Sequence, residues 1–157
     1  MKHVYWLLEN ELAGRTGPDT DPWDPVELAA GGIGAILSVN NGDEVEPRAL
    51  QKAGIRYACV PYSNAAPPEP GDVEICVDAL RLSYAFARQA KEAGRAVLVH
   101  CAAGKDRTGL FMSYYLCRSA GLGPEAAIAK VREVRPIAMS AEGWDEFGLE
   151  VLRQCGL

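Results

Sequence analysis

The chain reads as a single α/β domain over residues 1–157, with a central, mostly parallel sheet of four to five strands flanked by helices. Three observations carry that reading. Candidate strands and amphipathic helices alternate along the chain, the pattern of a sheet whose strands are joined by helical crossovers. Ala96-Val97-Leu98-Val99 is a short valine-rich apolar run, as expected of a strand buried on both faces. A length of 157 residues suits one hydrophobic core, and no repeat, low-complexity tract or linker divides it.

The elements follow in order. Tyr5–Leu8 and Leu12–Gly14 are two short strands, followed by a Gly/Pro/Asp-rich turn. Pro25–Ala30 is a short helix capped by Asp24 and closed by Gly31-Gly32; Gly34–Val39 is the next strand. Asn40–Asp43 is a turn cluster, Glu46–Ala53 a helix ended by Gly54, and Ile55–Val60 a strand. Ser63–Gly71 is a proline-rich loop. Val73–Glu92 is a long amphipathic helix, expected to bury Ile75, Leu80, Leu82, Tyr84, Ala85 and Phe86 and to end at Gly94. The valine-rich strand comes next, then helices over Thr108–Ser119, Pro124–Val134 and Ala141–Gln154, with Pro124 well suited to a first turn.

Bulk properties narrow the function. The net charge of −5, with no basic stripe, argues against nucleic acid and gives no general attraction to anionic membranes. No apolar run approaches the roughly 18 residues of a membrane span, and the N-terminus lacks the apolar core of a signal peptide. Five irregularly spaced cysteines, none in a Cys-x-x-Cys pair, fit a reducing compartment, so a cytoplasmic location is expected; the chain is also expected to be a monomer. Two distant histidines and scattered carboxylates make no ligand cluster, and neither a metal nor another cofactor is expected.

The richest segment is His100–Gly109, HCAAGKDRTG, set between the valine-rich strand and the helix interior Leu110–Leu116. A strand, a tight loop and a helix N-terminus thus converge on Cys101. Unpaired amides and the macrodipole at a helix start favour a phosphate dianion, and the same field stabilises a thiolate at Cys101. Arg107 offers a planar fork for two phosphoryl oxygens. Thr108 can donate its hydroxyl to the thiolate, Gly104 allows close backbone approach, and Gly109 lets the helix pack tightly. His100, Ala102, Ala103, Gly104, Lys105, Asp106, Arg107 and Thr108 are therefore the candidate phosphate-binding set. Cys101 would attack phosphorus and pass the phosphoryl group to water.

This segment resembles the signature loop of the cysteine-dependent phosphatases, the Cys-x5-Arg-Ser/Thr superfamily of tyrosine and dual-specificity enzymes. The likeness extends to the first strands and to Val131–Pro136, where a helix ends in Arg-Pro, as in the small atypical dual-specificity enzymes. The resemblance implies the phosphatase fold, no metal, and a phosphorylated substrate. That substrate is a protein bearing phosphotyrosine, with phosphoserine or phosphothreonine also admitted by a shallow pocket, or a phosphoinositide or inositol phosphate. A non-catalytic phosphate-binding module is a third reading.

The resemblance also exposes a departure. The family's acid is an aspartate in the loop after the preceding strand, and the corresponding position here is Asn64. Two candidates remain: Asp106, inside the signature loop, and Asp72, which also reads as a helix N-cap. Lys105 is expected to project toward substrate, His100 to structure the loop, and Trp144 to lie in the core, with Asp145 beside it where relatives carry a water-positioning glutamine. Cys59, Cys76, Cys117 and Cys155 are expected in apolar surroundings.

Overall fold

A computed structural model describes all 157 residues. Its five strands are β1 (Tyr5–Leu8), β2 (Leu12–Thr16), β3 (Ile33–Ser38), β4 (Arg56–Cys59) and β5 (Ala96–Cys101). They form one sheet in the order β1-β2-β5-β3-β4, antiparallel only between β1 and β2. Six α-helices and a 3-10 turn at Gly42–Glu44 complete the chain; the α-helices are α1 (Pro25–Ala30), α2 (Pro47–Lys52), α3 (Asp72–Glu92), α4 (Asp106–Ala120), α5 (Pro124–Val134) and α6 (Trp144–Gln154). The α/β class and the mostly parallel sheet are as the sequence predicts. No helix is long and apolar enough to cross a membrane.

The two sheet faces carry separate cores. Alternation along β5 sends Val97, Val99 and Cys101 toward the large core with α3–α6, and Leu98 toward a smaller one built from Leu28, Ile33, Ile36, Leu50 and Ile55. All six residues of β5 are buried, as expected of a central parallel strand. The parallel strands end together, so the loops after β2, β3, β4 and β5 gather at one edge of the sheet. That edge is where an open parallel sheet holds its ligand.

Local signals place most boundaries. Asp24 caps α1 by accepting from the Val26 amide at 3.0 Å, and Glu46 caps α2 by accepting from Arg48. The face of α3 departs from expectation. Ile75 and Leu82 are 50% and 64% exposed, and Ala85 is exposed as well. Leu80 is buried as expected and Tyr84 and Phe86 pack against the core, but the rest of the buried face is Cys76, Ala79, Ser83, Ala87 and Ala90. These small residues, recurring at helical spacing, let it lie close to β3 and β5, whereas large side chains there would hold it away. Cys76 and Cys117 are buried as expected, but Cys59 is exposed, because β4 is an edge strand.

Candidate active site

Cys101 ends β5 at 2% exposure, and Thr108 in the first turn of α4 donates its hydroxyl to Cys101 Sγ at 3.2 Å. Between them the loop is polarised. The carbonyls of residues 101–105 all point outward to donors. Cys101 O faces His100 Nδ1 at 3.1 Å, and Ala102 O accepts from the Gly17 amide at 3.0 Å. Ala103 O accepts from Arg135 at 2.7 Å and from Thr16 at 3.3 Å. Gly104 O accepts from Tyr5 at 2.6 Å and Arg135 at 3.3 Å; Lys105 O accepts from the Gly109 and Met139 amides.

The amides behave in the opposite way. From Ala102 to Thr108 none donates to a protein acceptor, and no side chain caps α4. Seven consecutive N–H groups beside a thiol and a 15-residue helix N-terminus form an anion cradle. Gly104 makes the turn possible: its φ is +64°, and a Cβ there would run into the Arg15 carbonyl. Gly109 acts as expected, since a Cβ there would lie 3.2 Å from that of Ala138.

Behind the cradle, His100 is fully buried and hydrogen-bonded at both nitrogens. A carbonyl only accepts, so Nδ1 carries the proton facing Cys101 O, and Nε2 accepts from the Ser38 hydroxyl at 2.6 Å. Ser38 in turn accepts from Tyr57 at 2.7 Å. Burial first, with the charge of Arg15 as a lesser cause, pushes His100 down to about 4, so the ring is neutral at pH 7. The edge of this ring system packs against Trp23, with centroids 5.2 Å apart.

Arg107 is anchored by its Nε–H to Ser63 O at 2.9 Å and lies 4.8 Å above the Trp144 ring. Trp144 is fully buried, as expected, and also donates its indole N–H to Ala65 O at 2.9 Å. Cys76 packs below this loop, and burial pushes its thiol up to about 11, which keeps it protonated.

The sequence-predicted acids are both near, and both engaged. Asp106 is buried, with one oxygen accepting from Lys105 Nζ at 2.8 Å and the other from the Ala141 amide at 3.1 Å. Asp72 begins α3, one residue inside the Gly71 cap position, and its Oδ2 accepts from the Glu69 amide at 2.6 Å. Lys105 turns back to Asp106 and to Ser140 at 3.3 Å instead of projecting over the cradle, because the buried carboxylate captures it. Asp145 pairs with Arg132 at the surface, outside the site. Sequence reasoning missed Tyr5, Thr16, Ser38, Tyr57 and Arg135, whose parts are set by partners far along the chain; only the Arg-Pro ending of α5 offered a signal.

The dual specificity phosphatase catalytic-domain model matches residues 21–146. This chain belongs to that family. Human dual specificity protein phosphatase 12 is 31% identical over 133 residues, covering 85% of this chain and 37% of that protein. Dual specificity protein phosphatase 22-B of Danio rerio is 32% identical over 124 residues, covering 79% of this chain and 62% of its own length. The chain thus spans between about a third and three-fifths of these curated relatives. Among solved structures, human DUSP28 superposes with a TM-score of 0.76 at 21% identity, covering 100% of this chain and 97% of that one. Tk-PTP in the active form gives 0.75 at 19%, covering 98% and 96%. These likenesses show the dual-specificity phosphatase fold.

Proposed function

We propose that this chain hydrolyses phosphomonoesters of phosphorylated proteins through a phosphocysteine at position 101. The observation that carries the reading is the polarised loop: a thiol beside seven unpartnered amides, with Arg107 fixed at its edge. A nucleophile and an anion receptor then meet on one phosphorus. Family membership supports it, as do the intact Cys101, Arg107 and Thr108. Thr108 stabilises the thiolate as attacking and leaving group. Arg107 and the amides of Ala102–Thr108 meet the phosphoryl charge, so no step needs a metal. Asp106 acts as a positioning residue, tying the start of α4 to the Ala141 amide. Five free thiols support a reducing compartment, the cytoplasm.

A protein substrate is favoured over a phosphoinositide because Lys105, the extra cation a polyphosphorylated headgroup would use, is already held by Asp106 and Ser140. A structural neighbour solved with such a lipid, PTPMT1 in complex with PI(5)P, shares 16% identity with this chain. The test is phosphate release in EDTA from a phosphotyrosine peptide, a phosphothreonine peptide and a phosphoinositide, with acid-quench trapping of the phosphoenzyme. Peptide turnover above lipid turnover is expected. A lipid preference would move the function to phosphoinositide metabolism, and binding without turnover or phosphoenzyme would leave a phosphate-binding module.

A further inference from the structure

The mouth of the cradle is the loop around Asn64, and it is fixed on both sides. Arg107 holds the carbonyl of Ser63, and Trp144 holds that of Ala65. The Asn64 side chain is fixed too, its Oδ1 accepting from Asn40 Nδ2 at 2.8 Å. Asn40 belongs to the same edge: the preceding Val39 donates its amide to His100 O and accepts from the Tyr62 amide. With its oxygen occupied, exposed Asn64 keeps its NH2 group free, one residue after the Ser63 carbonyl that Arg107 holds. Such a group donates a hydrogen bond and has no proton to transfer. Asp106 is engaged at both oxygens, and Asp72 accepts from the Glu69 amide through one.

We propose that Asn64, held by Asn40, is a specificity-determining residue that hydrogen-bonds the leaving-group oxygen without protonating it. The chain then favours aryl phosphates, phosphotyrosine among them, over the alkyl esters phosphoserine and phosphothreonine. A phenol titrates near 10, whereas an alcohol lies close to bulk water at roughly 16, so only the aryl oxygen departs readily as an anion. This inference rests on the phosphocysteine reading. In the first step the Cys101 thiolate forms the S–P bond, the P–O bond breaks, and its electron pair leaves on the aryl oxygen. In the second, water attacks phosphorus, the S–P pair returns to Cys101, and inorganic phosphate departs. The proton shed by that water neutralises the phenoxide.

The experiment compares kcat/KM of the full chain on aryl phosphates from nitrophenyl to phenyl and on a phosphothreonine peptide, then repeats the series with Asn64→Asp. In the unmodified chain, kcat/KM is expected to fall at least about tenfold from nitrophenyl to phenyl phosphate, and further for phosphothreonine. Proton donation contributes roughly 10²–10⁴-fold, so Asn64→Asp is expected to raise phenyl phosphate turnover by at least about tenfold. It should also flatten the series and add a falling alkaline limb to the pH profile. A flat series in the unmodified chain overturns the proposal whether or not the variant folds. An alkaline limb in the unmodified chain that Asp72→Asn or Asp106→Asn removes overturns it too, by locating a carboxylic acid. A chain that turns over no aryl phosphate and traps no phosphocysteine loses this inference together with the phosphatase reading; turnover with a flat series removes this inference alone.

Discussion

The signature loop His100–Gly109 and the mouth loop Pro61–Gly71 meet at Arg107, yet they are held in opposite ways. The signature loop is fixed from outside through its carbonyls, by Tyr5, Thr16, Gly17, Arg135 and Met139, which leaves its amides for an anion. The mouth loop is fixed from inside, its carbonyls taken by Arg107 and Trp144, parts of the site itself. The difference predicts separable behaviour. The cradle should keep its shape when a site residue changes, whereas the mouth should not.

Replacing Arg107 tests that division most severely. Arg107→Lys loses the planar fork, the Nε–H bond to Ser63 and the stack on Trp144. A fall in kcat of about 10²–10³-fold is expected, the usual cost of one preorganised donor. Vanadate binding should weaken, while limited proteolysis should find new cleavage around residues 63–66 and none in residues 100–109. Cleavage appearing equally in both loops would erase the distinction.

The cradle's outer support has its own signature in pH. An unfolded histidine takes a proton below about 6.5, but folded His100 resists until about 4. Between those values the unfolded chain binds more protons, so stability rises with pH and is lost as pH falls through that window. The full interval corresponds to about 3 kcal/mol. Urea unfolding at pH 7 and near pH 4.5 should show the natural chain losing about 2.5 kcal/mol more than His100→Asn. Equal losses would mean that His100 is already charged in the folded protein.

The same division governs how much could be read from the sequence. The signature loop was legible because its chemistry is written in consecutive residues: Cys101, Arg107 and Thr108 sit where one turn of loop and one turn of helix must bring them together. The strands and helices were legible for the same reason, each being a local pattern. What escaped depends on pairs distant along the chain. Arg135 lies 32 residues from the Ala103 carbonyl it holds, and Tyr5 lies 99 from Gly104. Lys105 illustrates the reverse error: alone it reads as a cation aimed at substrate, but Asp106 next to it is buried and captures it. On α3, large apolar residues outweighed small ones in the reading, although close packing on a sheet favours the small.

Arg135→Met probes the outer support without touching the thiol. It withdraws donors from Ala103 and Gly104, which keep Thr16 and Tyr5 as partners. Half-buried Tyr5 stays protonated there, since desolvation and the neighbouring Cys101 both raise its pKa. Losing the two hydrogen bonds from a charged donor costs about 1–3 kcal/mol, expected as a lower urea midpoint with unchanged slope. Phosphate affinity should fall in the same variant, because a carbonyl free to turn inward would take the place of an amide. Lost stability with intact phosphate affinity would show that the cradle holds its shape by itself.

The smallest effect tests how far the support reaches. Tyr57 touches neither Cys101 nor the amides; it donates to Ser38, which donates to His100, which holds the Cys101 carbonyl. Tyr57→Phe removes one hydroxyl and leaves Ser38 able to serve His100, so stability should drop by only about 1 kcal/mol. If the relay orients His100, the variant also frees Ser38 to turn its hydroxyl toward other acceptors. The pH dependence of Cys101 alkylation by iodoacetamide should then shift while the aryl leaving-group series keeps its slope. A shift in both would place the mouth under the control of the same relay, through the Val39 bonds that join His100 to Tyr62.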